Sequence, residues 1–227
     1  MPGVTVFYGL YGSGKTEISI NYAVKLARQG KAVTIVDLDA VTPYFRVRDV
    51  RDRLIQEGIV VVAPKESIRH ADLPVLPEGV RTVLQQGPGE VVVDVGGDPT
   101  GARVLGGLED ALSRDAKGLF VVNSSRPFTR TVEDAKKAVA NIAASAGLRP
   151  SGLVANTHMT DQTTVEHVVQ GVQFARELGR QIGLPVVFCA APADLKSKEE
   201  EIAGRTEGLP VLWLERFLKK PWETEEQ

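Results

Sequence analysis

Between an apolar, β-branched run, Val4–Tyr8, and a helical pattern over Lys15–Gln29, the chain reads Gly9-Leu10-Tyr11-Gly12-Ser13-Gly14-Lys15-Thr16. This fills every fixed position of G-x-x-x-x-G-K-S/T, and a preceding strand and following helix are the context that motif requires. Its glycines let the loop turn back on itself, so that successive backbone N–H groups face inward and the positive end of the helix adds to them. Such a loop is a cradle for phosphate oxygens. Gly9, Gly12, Ser13 and Gly14 shape it, Lys15 is expected on the β- and γ-phosphates, and the Thr16 hydroxyl on Mg²⁺.

The rest of the chain repeats the strand-then-helix rhythm. Apolar runs recur at Ala32–Asp37, Ile59–Ala63, Val91–Val95, Leu119–Asn123, Leu153–Asn156 and Val186–Ala190, which with Val4–Tyr8 makes seven expected strands. Most are apolar throughout, as strands buried on both faces of a parallel sheet are. Helical stripes lie between them: Ile18, Tyr22 and Leu26 in the first, Thr131–Ala146, and Thr163–Ile182 with Val165, Val168, Val172, Ala175, Leu178 and Ile182 on one face. Alternation of this kind predicts an α/β, doubly wound and mostly parallel sheet of about seven strands, with helices on both faces and right-handed crossovers. At 227 residues, a single nucleotide-binding domain spanning 1–227 is expected. The longest irregular connection, Pro64–Gly79, reads as a surface crossover loop or as a lid.

Composition narrows the setting. Lys+Arg 27 against Asp+Glu 29 leaves a net charge of −2, so no global basic surplus indicates nucleic acid or anionic lipid. Cys189 is the single cysteine, which excludes an internal disulfide or multi-cysteine cage and suits a reducing cytoplasm. No apolar stretch is long enough to span a membrane, and the N-terminus lacks signal-peptide features, so a cytoplasmic protein is expected.

Two further strand ends carry carboxylates. Asp37 and Asp39 follow the second strand, where open α/β sheets bind ligands; both could face metal and water, or one could cap the next helix. Glu90–Asp94 ends in an aspartate placed to hold Mg²⁺ through water, and Gly97 completes an Asp-x-x-Gly spacing that lets a backbone N–H approach a γ-phosphate. Asp98 belongs to that loop or is only a turn residue before Pro99.

Together, the phosphate loop, the Asp37/Asp39 pair and the Asp94-x-x-Gly97 loop resemble the MinD/ParA/nitrogenase-iron-protein branch of P-loop NTPases, the CobQ/CobB/MinD/ParA nucleotide-binding group, over nearly the whole chain. The resemblance implies ATP and Mg²⁺ as ligands, Asn156 on the purine edge and Pro192 on its face. It also implies Asp39 as the water-orienting carboxylate, with Asp37 and Asp94 near the metal. Two departures stand out. Leu10 occupies the place of the branch's second loop lysine, which reaches across a dimer, and the cysteine pairs of the iron protein are absent. His70, His158 and His167 share no metal-ligand spacing; His158 is either a solvated loop residue or a neighbour of the base.

The function expected from these residues is a slow Mg²⁺-dependent ATPase acting as a nucleotide-driven switch. The alternatives are a kinase that passes the γ-phosphate to a small molecule or nucleic-acid end, with Arg46, Arg48 or Arg126 holding the acceptor, and a nucleotide-binding scaffold without turnover. ATP is expected over GTP, because Thr157 and Met159 stand where Asn-Lys-x-Asp guanine readers have Lys and Asp, and Asp161 comes two residues late. The segment Tyr44–Arg53, with four arginines in eight positions, reads as an exposed helix face or as the surface that meets a second subunit or other partner in the ATP state.

Overall fold

The computed structural model describes residues 2–39, 45–64 and 76–218. One eight-stranded sheet organises them: β1 Gly3–Tyr8, β2 Val33–Leu38, β3 Val60–Val62, β4 Glu90–Val95, β5 Lys117–Val122, β6 Gly152–Ala155, β7 Val186–Pro192 and β8 Val211–Leu214. Their spatial order is β3-β2-β4-β1-β5-β6-β7-β8, and every pairing is parallel. The eighth strand corrects the expected seven. Val211–Leu214 is only four residues long and alternates in burial at the sheet edge, so it lacks the continuous apolar signal of the central strands.

Among the described residues seven α-helices accompany the sheet: α1 Lys15–Arg28, α2 Arg51–Gln56, α3 Val80–Gln86, α4 Pro99–Gly106, α5 Val132–Ala146, α6 Val165–Ile182 and α7 Glu199–Arg205. Thr131, the expected start of its stripe, and Thr164, one residue past the expected start at Thr163, are N-caps whose side chains accept from Asp134 N and His167 N, so the two helices begin one and two residues later than expected. Alternation along the strands divides the core into two layers. Val4, Val6 and Tyr8 of β1 join Val93, Leu105 and Ile142 on one face, while Phe7 joins Ile18, Val24, Ile35 and Val92 under α1 on the other. No described helix is long and apolar enough to cross a membrane. Most of Pro64–Gly79, the loop-or-lid segment, lies outside the described residues.

This strand order positions the site. From β1 the chain moves outward through β2 and β3, returns to insert β4 beside β1, then builds β5 to β8 on the other side. The carboxyl ends of β4, β1 and β5 therefore lie side by side where the winding reverses, and loops there diverge to leave a crevice.

Candidate functional site

The phosphate loop leaves β1 between β4 and β5. A Cβ on Gly9 would stand 2.6 Å from the Val121 carbonyl, and Gly12 and Gly14 adopt φ +75° and +85°, so side chains are excluded by contact at the first and by backbone strain at the others. Ser13 N donates to Leu10 O at 3.0 Å, closing the turn, and Tyr11 N donates to Gly97 O at 2.9 Å, tying the loop to the end of β4. Lys15 and Thr16 open α1 and are both buried. A Cβ on Gly97 would lie 2.8 Å from Tyr11 N and 2.9 Å from Lys15 Nζ, so the β4 loop approaches the phosphate loop as closely as backbone allows.

Beneath the loop lies an acidic floor. Asp94 ends β4 in register with Asp37 of β2 and is wholly buried. Its Oδ1 is reached by Ser19 Oγ at 3.3 Å and its carboxylate is bonded by Thr16, but Oδ2 has no partner. Burial pushes the Asp94 carboxyl up to about 7; nearby Lys15 opposes the shift, while Asp37 and Asp39 reinforce it. Asp98 is resolved as the N-cap of α4, accepting from Thr100 N at 2.7 Å and Gly101 N at 3.1 Å.

Asp37 and Asp39, expected to face the same way, do different things. Asp39 lines the cleft. Asp37 accepts from Arg48 Nε at 2.8 Å, Arg48 Nη2 at 3.2 Å, Arg48 N at 3.2 Å and Asp39 N at 3.0 Å, and Arg48 Nη2 also donates to the Asp39 carbonyl. Burial holds the Asp37 carboxyl above the ordinary range, with Arg48 pulling it back. The pair thus pins the chain around Asp39 to the turn Val47–Val50. Tyr44 lies outside the described residues; over the remainder, Arg48 turns inward to Asp37 and Arg46 pairs with Asp49 at 3.0 Å, which corrects the picture of four arginines on one solvated face.

At the other end of a cleft of ≈ 710 Å³, Asn156 stands just after β6 and Pro192 closes β7. Asn156 Nδ2 donates to Ser13 O at 2.7 Å, and its buried Oδ1 has no partner. His158 is half-buried beside the same cleft; burial and then Arg126 lower its pKa, and its Nδ1 accepts from Thr160 N at 3.2 Å. His167 belongs to the cap of α6, and His70 lies outside the described residues. Cys189 is buried in β7, where burial raises its thiol to about 11.

Sequence reasoning missed a wall of this cleft. After β8, Glu215 and Asn21 exchange two hydrogen bonds, Glu215 N to Asn21 Oδ1 at 2.8 Å and Asn21 Nδ2 to Glu215 O at 3.0 Å. Glu17 accepts Phe217 N at 2.6 Å and Leu218 N at 3.2 Å. Arg53 of α2 lies 3.8 Å above the Phe217 ring. The local hint was a polar pair, Glu17 and Asn21, four apart on the first helix.

Of the four buried polar side-chain atoms left unpartnered among the described residues, Asn156 Oδ1 belongs to a residue lining this cleft, Ser13 Oγ to the phosphate loop itself, and Asp94 Oδ2 to the carboxylate beside Lys15 and Thr16. Buried polar groups are normally satisfied, so three orphans on or next to a phosphate loop call for a partner that the protein itself does not supply. No cluster of three or more His, Cys, Asp or Glu able to hold a metal occurs among the described residues. The acceptors on hand fit a cation held by few protein groups and by phosphate, as Mg²⁺ commonly is.

Comparison with known proteins agrees with this geometry. Residues 4–187 match the family model described as the CobQ/CobB/MinD/ParA nucleotide binding domain. The DNA repair and recombination protein RadB of Methanothermobacter thermautotrophicus is 40% identical over 65 residues, a stretch covering 27% of either chain. Solved structures share the fold. The signal recognition particle receptor FtsY of Elizabethkingia anophelis, in complex with GDP, aligns at TM-score 0.58 and 18% identity, over 84% of this chain and 57% of that one. The signal recognition particle 54 kDa protein of Aeropyrum pernix, also with GDP, aligns at 0.57 and 19%, over 83% and 41%.

Proposed function

Since the chain belongs to the CobQ/CobB/MinD/ParA nucleotide-binding family, we propose that it is an ATP-binding switch that hydrolyses ATP slowly with Mg²⁺. The observation that carries this reading is a cleft lined by Lys15 and Thr16 of the phosphate loop and by Asn156, whose buried Oδ1 has no partner, with the unpartnered Oδ2 of Asp94 buried beside Lys15 and Thr16. Thr16 and Asp94 would hold Mg²⁺, which when bound supplies positive charge to the phosphate oxygens. Lys15 and the loop amides bind the β- and γ-phosphates, and Asp39 orients the attacking water. Asp37 keeps Arg48, and through it the Asp39 carbonyl, in place.

Asn156 supports adenine. Its amide nitrogen must face the Ser13 carbonyl, since the opposite rotamer would set two acceptors against each other, so the oxygen is what remains for a base. An acceptor complements the 6-amino group of adenine and opposes the 6-oxo group of guanine. Fold relatives solved with GDP make guanine the competitor to test. Titration of a fluorescent ATP analogue, displaced by ATP or by GTP, decides the matter; equal displacement by GTP removes adenine from the reading. Phosphate release from Mg-ATP, with and without cell extract, decides the chemistry. Free phosphate without an acceptor supports the ATPase, transfer to a product in extract supports the kinase, and intact bound ATP supports the scaffold.

The partner surface proposed for Tyr44–Arg53 now centres on Phe45, which is 37% exposed beside the cleft, rather than on Arg46 and Arg48. Sedimentation of Phe45→Ala and parent with a non-hydrolysable ATP analogue and with ADP tests it: identical behaviour in all four samples removes the surface.

A further inference from the structure

The loop after β5 brings one more cation to the nucleotide cleft, and it is rigidly presented. Asn123 Oδ1 accepts Ser125 N at 3.0 Å, while the Asn123 carbonyl accepts Arg126 N at 3.2 Å and Thr129 Oγ1 at 2.5 Å. Asn123 and Thr129 are both buried, so the turn that carries Arg126 is fixed from below. Arg126 Nε then donates to the Gly12 carbonyl at 3.0 Å, and a Cβ on Gly12 would come within 3.3 Å of that nitrogen. The missing side chain at position 12 is what gives the guanidinium its access to the loop.

Arg126 is also not engaged by an acid. Unlike Arg28, Arg48, Arg81, Arg180 and Arg205, and like Arg103, it pairs with no carboxylate among the described residues, but it alone of the carboxylate-free arginines lines the cleft. Bracing one carbonyl uses a single N–H of a group that has five. The remaining donors sit at the wall of a cleft whose loop offers only Lys15 as its own cation, position 10 being leucine.

We propose that Arg126 is a catalytic residue acting in cis, its remaining N–H groups contacting the terminal phosphates of the bound nucleotide; this rests on the hydrolysis reading above. In that reaction the water oxygen forms a bond to the γ-phosphorus as the bond to the β-phosphate oxygen breaks. The electron pair goes to the β-phosphate and the water proton ends on the released phosphate. Arg126 transfers no proton; it donates hydrogen bonds to oxygens whose negative charge grows, from a position that needs no rearrangement.

The test compares parent, Arg126→Ala and Arg126→Lys in the full chain by single turnover of Mg-ATP, and by affinity for ADP alone and for ADP with aluminium fluoride. Arginines of this role are worth about 10³-fold or more in rate, so Arg126→Ala should lose roughly that factor and the extra affinity for the fluoride complex, with ADP affinity nearly unchanged. Arg126→Lys, which keeps charge without the planar fork, should fall between. Turnover of Arg126→Ala at the parent rate, or equal weakening of ADP and of the fluoride complex, overturns the proposal. So does restoration of turnover on mixing Arg126→Ala with Lys15→Ala chains, because that requires action across two chains. If the parent turns over no nucleotide, the hydrolysis reading itself fails, and Arg126 then stands or falls on the fluoride-complex affinity alone.

Discussion

Replacing Arg48 by methionine keeps a stem of similar length and removes the guanidinium that faces Asp37. Asp37 would retain its bonds from Arg48 N and Asp39 N but lose those from Nε at 2.8 Å and Nη2 at 3.2 Å. Two hydrogen bonds to a charged group, at about 1.5–3 kcal/mol each, put the loss near 3–6 kcal/mol. Orphaning one half of a buried ion pair costs about 3–5 kcal/mol, so that narrower range is expected near neutral pH. Against a total stability of about 5–15 kcal/mol this is a large fraction. The pH dependence has a definite sign. Burial already raises the Asp37 carboxyl and Arg48 opposes it, so the variant raises it further. Folded variant then holds a proton where the unfolded chain does not, and its stability falls as pH rises from the ordinary carboxylate range through the raised folded value. The deficit relative to parent should therefore shrink in acid. Urea unfolding followed by far-UV circular dichroism at acid and neutral pH measures it, and the double variant Asp37→Asn, Arg48→Met should recover most of the loss. A deficit below about 1 kcal/mol, the value of a solvated surface pair, or one that does not shrink in acid, would refute the reasoning.

Other consequences are simpler to state. Lys15→Ala should weaken nucleotide binding in a direct titration, whereas Asp39→Asn should leave binding nearly intact and slow phosphate release by about one to three powers of ten. Gly97→Ala places a methyl 2.8 Å from Tyr11 N and 2.9 Å from Lys15 Nζ, so nucleotide affinity should drop; affinity equal to the parent's would show that the two loops part easily. Cys189, its thiol raised to about 11 by burial, should resist alkylation at mildly alkaline pH until the chain unfolds. Its contribution to stability is intact below the unfolded thiol's pKa and is lost as pH rises toward 11, which labelling of the native protein at the rate of a free thiol would contradict.

What the sequence disclosed follows contact distance. The phosphate loop is contiguous, so Gly9 to Thr16 could be placed from spacing alone, and central strands such as Val91–Val95 announce themselves by unbroken apolar character. Asp37 was harder. Its position at a strand end was legible, but the partner that claims it, Arg48, sits eleven residues on, across a stretch of sequence with no helical or strand periodicity. The post-β8 wall was invisible for the same reason in stronger form: Glu17 meets Phe217 across 200 residues, and neither residue alone signals the other. Arg126 stood in view as a charged loop residue; only the fold brings it to Gly12, 114 positions away.

The bonds from Glu17 and Asn21 to the segment after β8 also bear on how the protein is made. A ribosome delivers the phosphate loop long before the far wall of its cleft. Until residues 215–218 emerge, the Glu17 carboxylate has no backbone amides to accept, and that side of the cleft stays open to water. Nascent chains stalled before and after that point should therefore differ in nucleotide retention although both carry the whole loop. Helix α1 is completed by residues made 200 positions after it, so nucleotide capture would report that synthesis had passed β8.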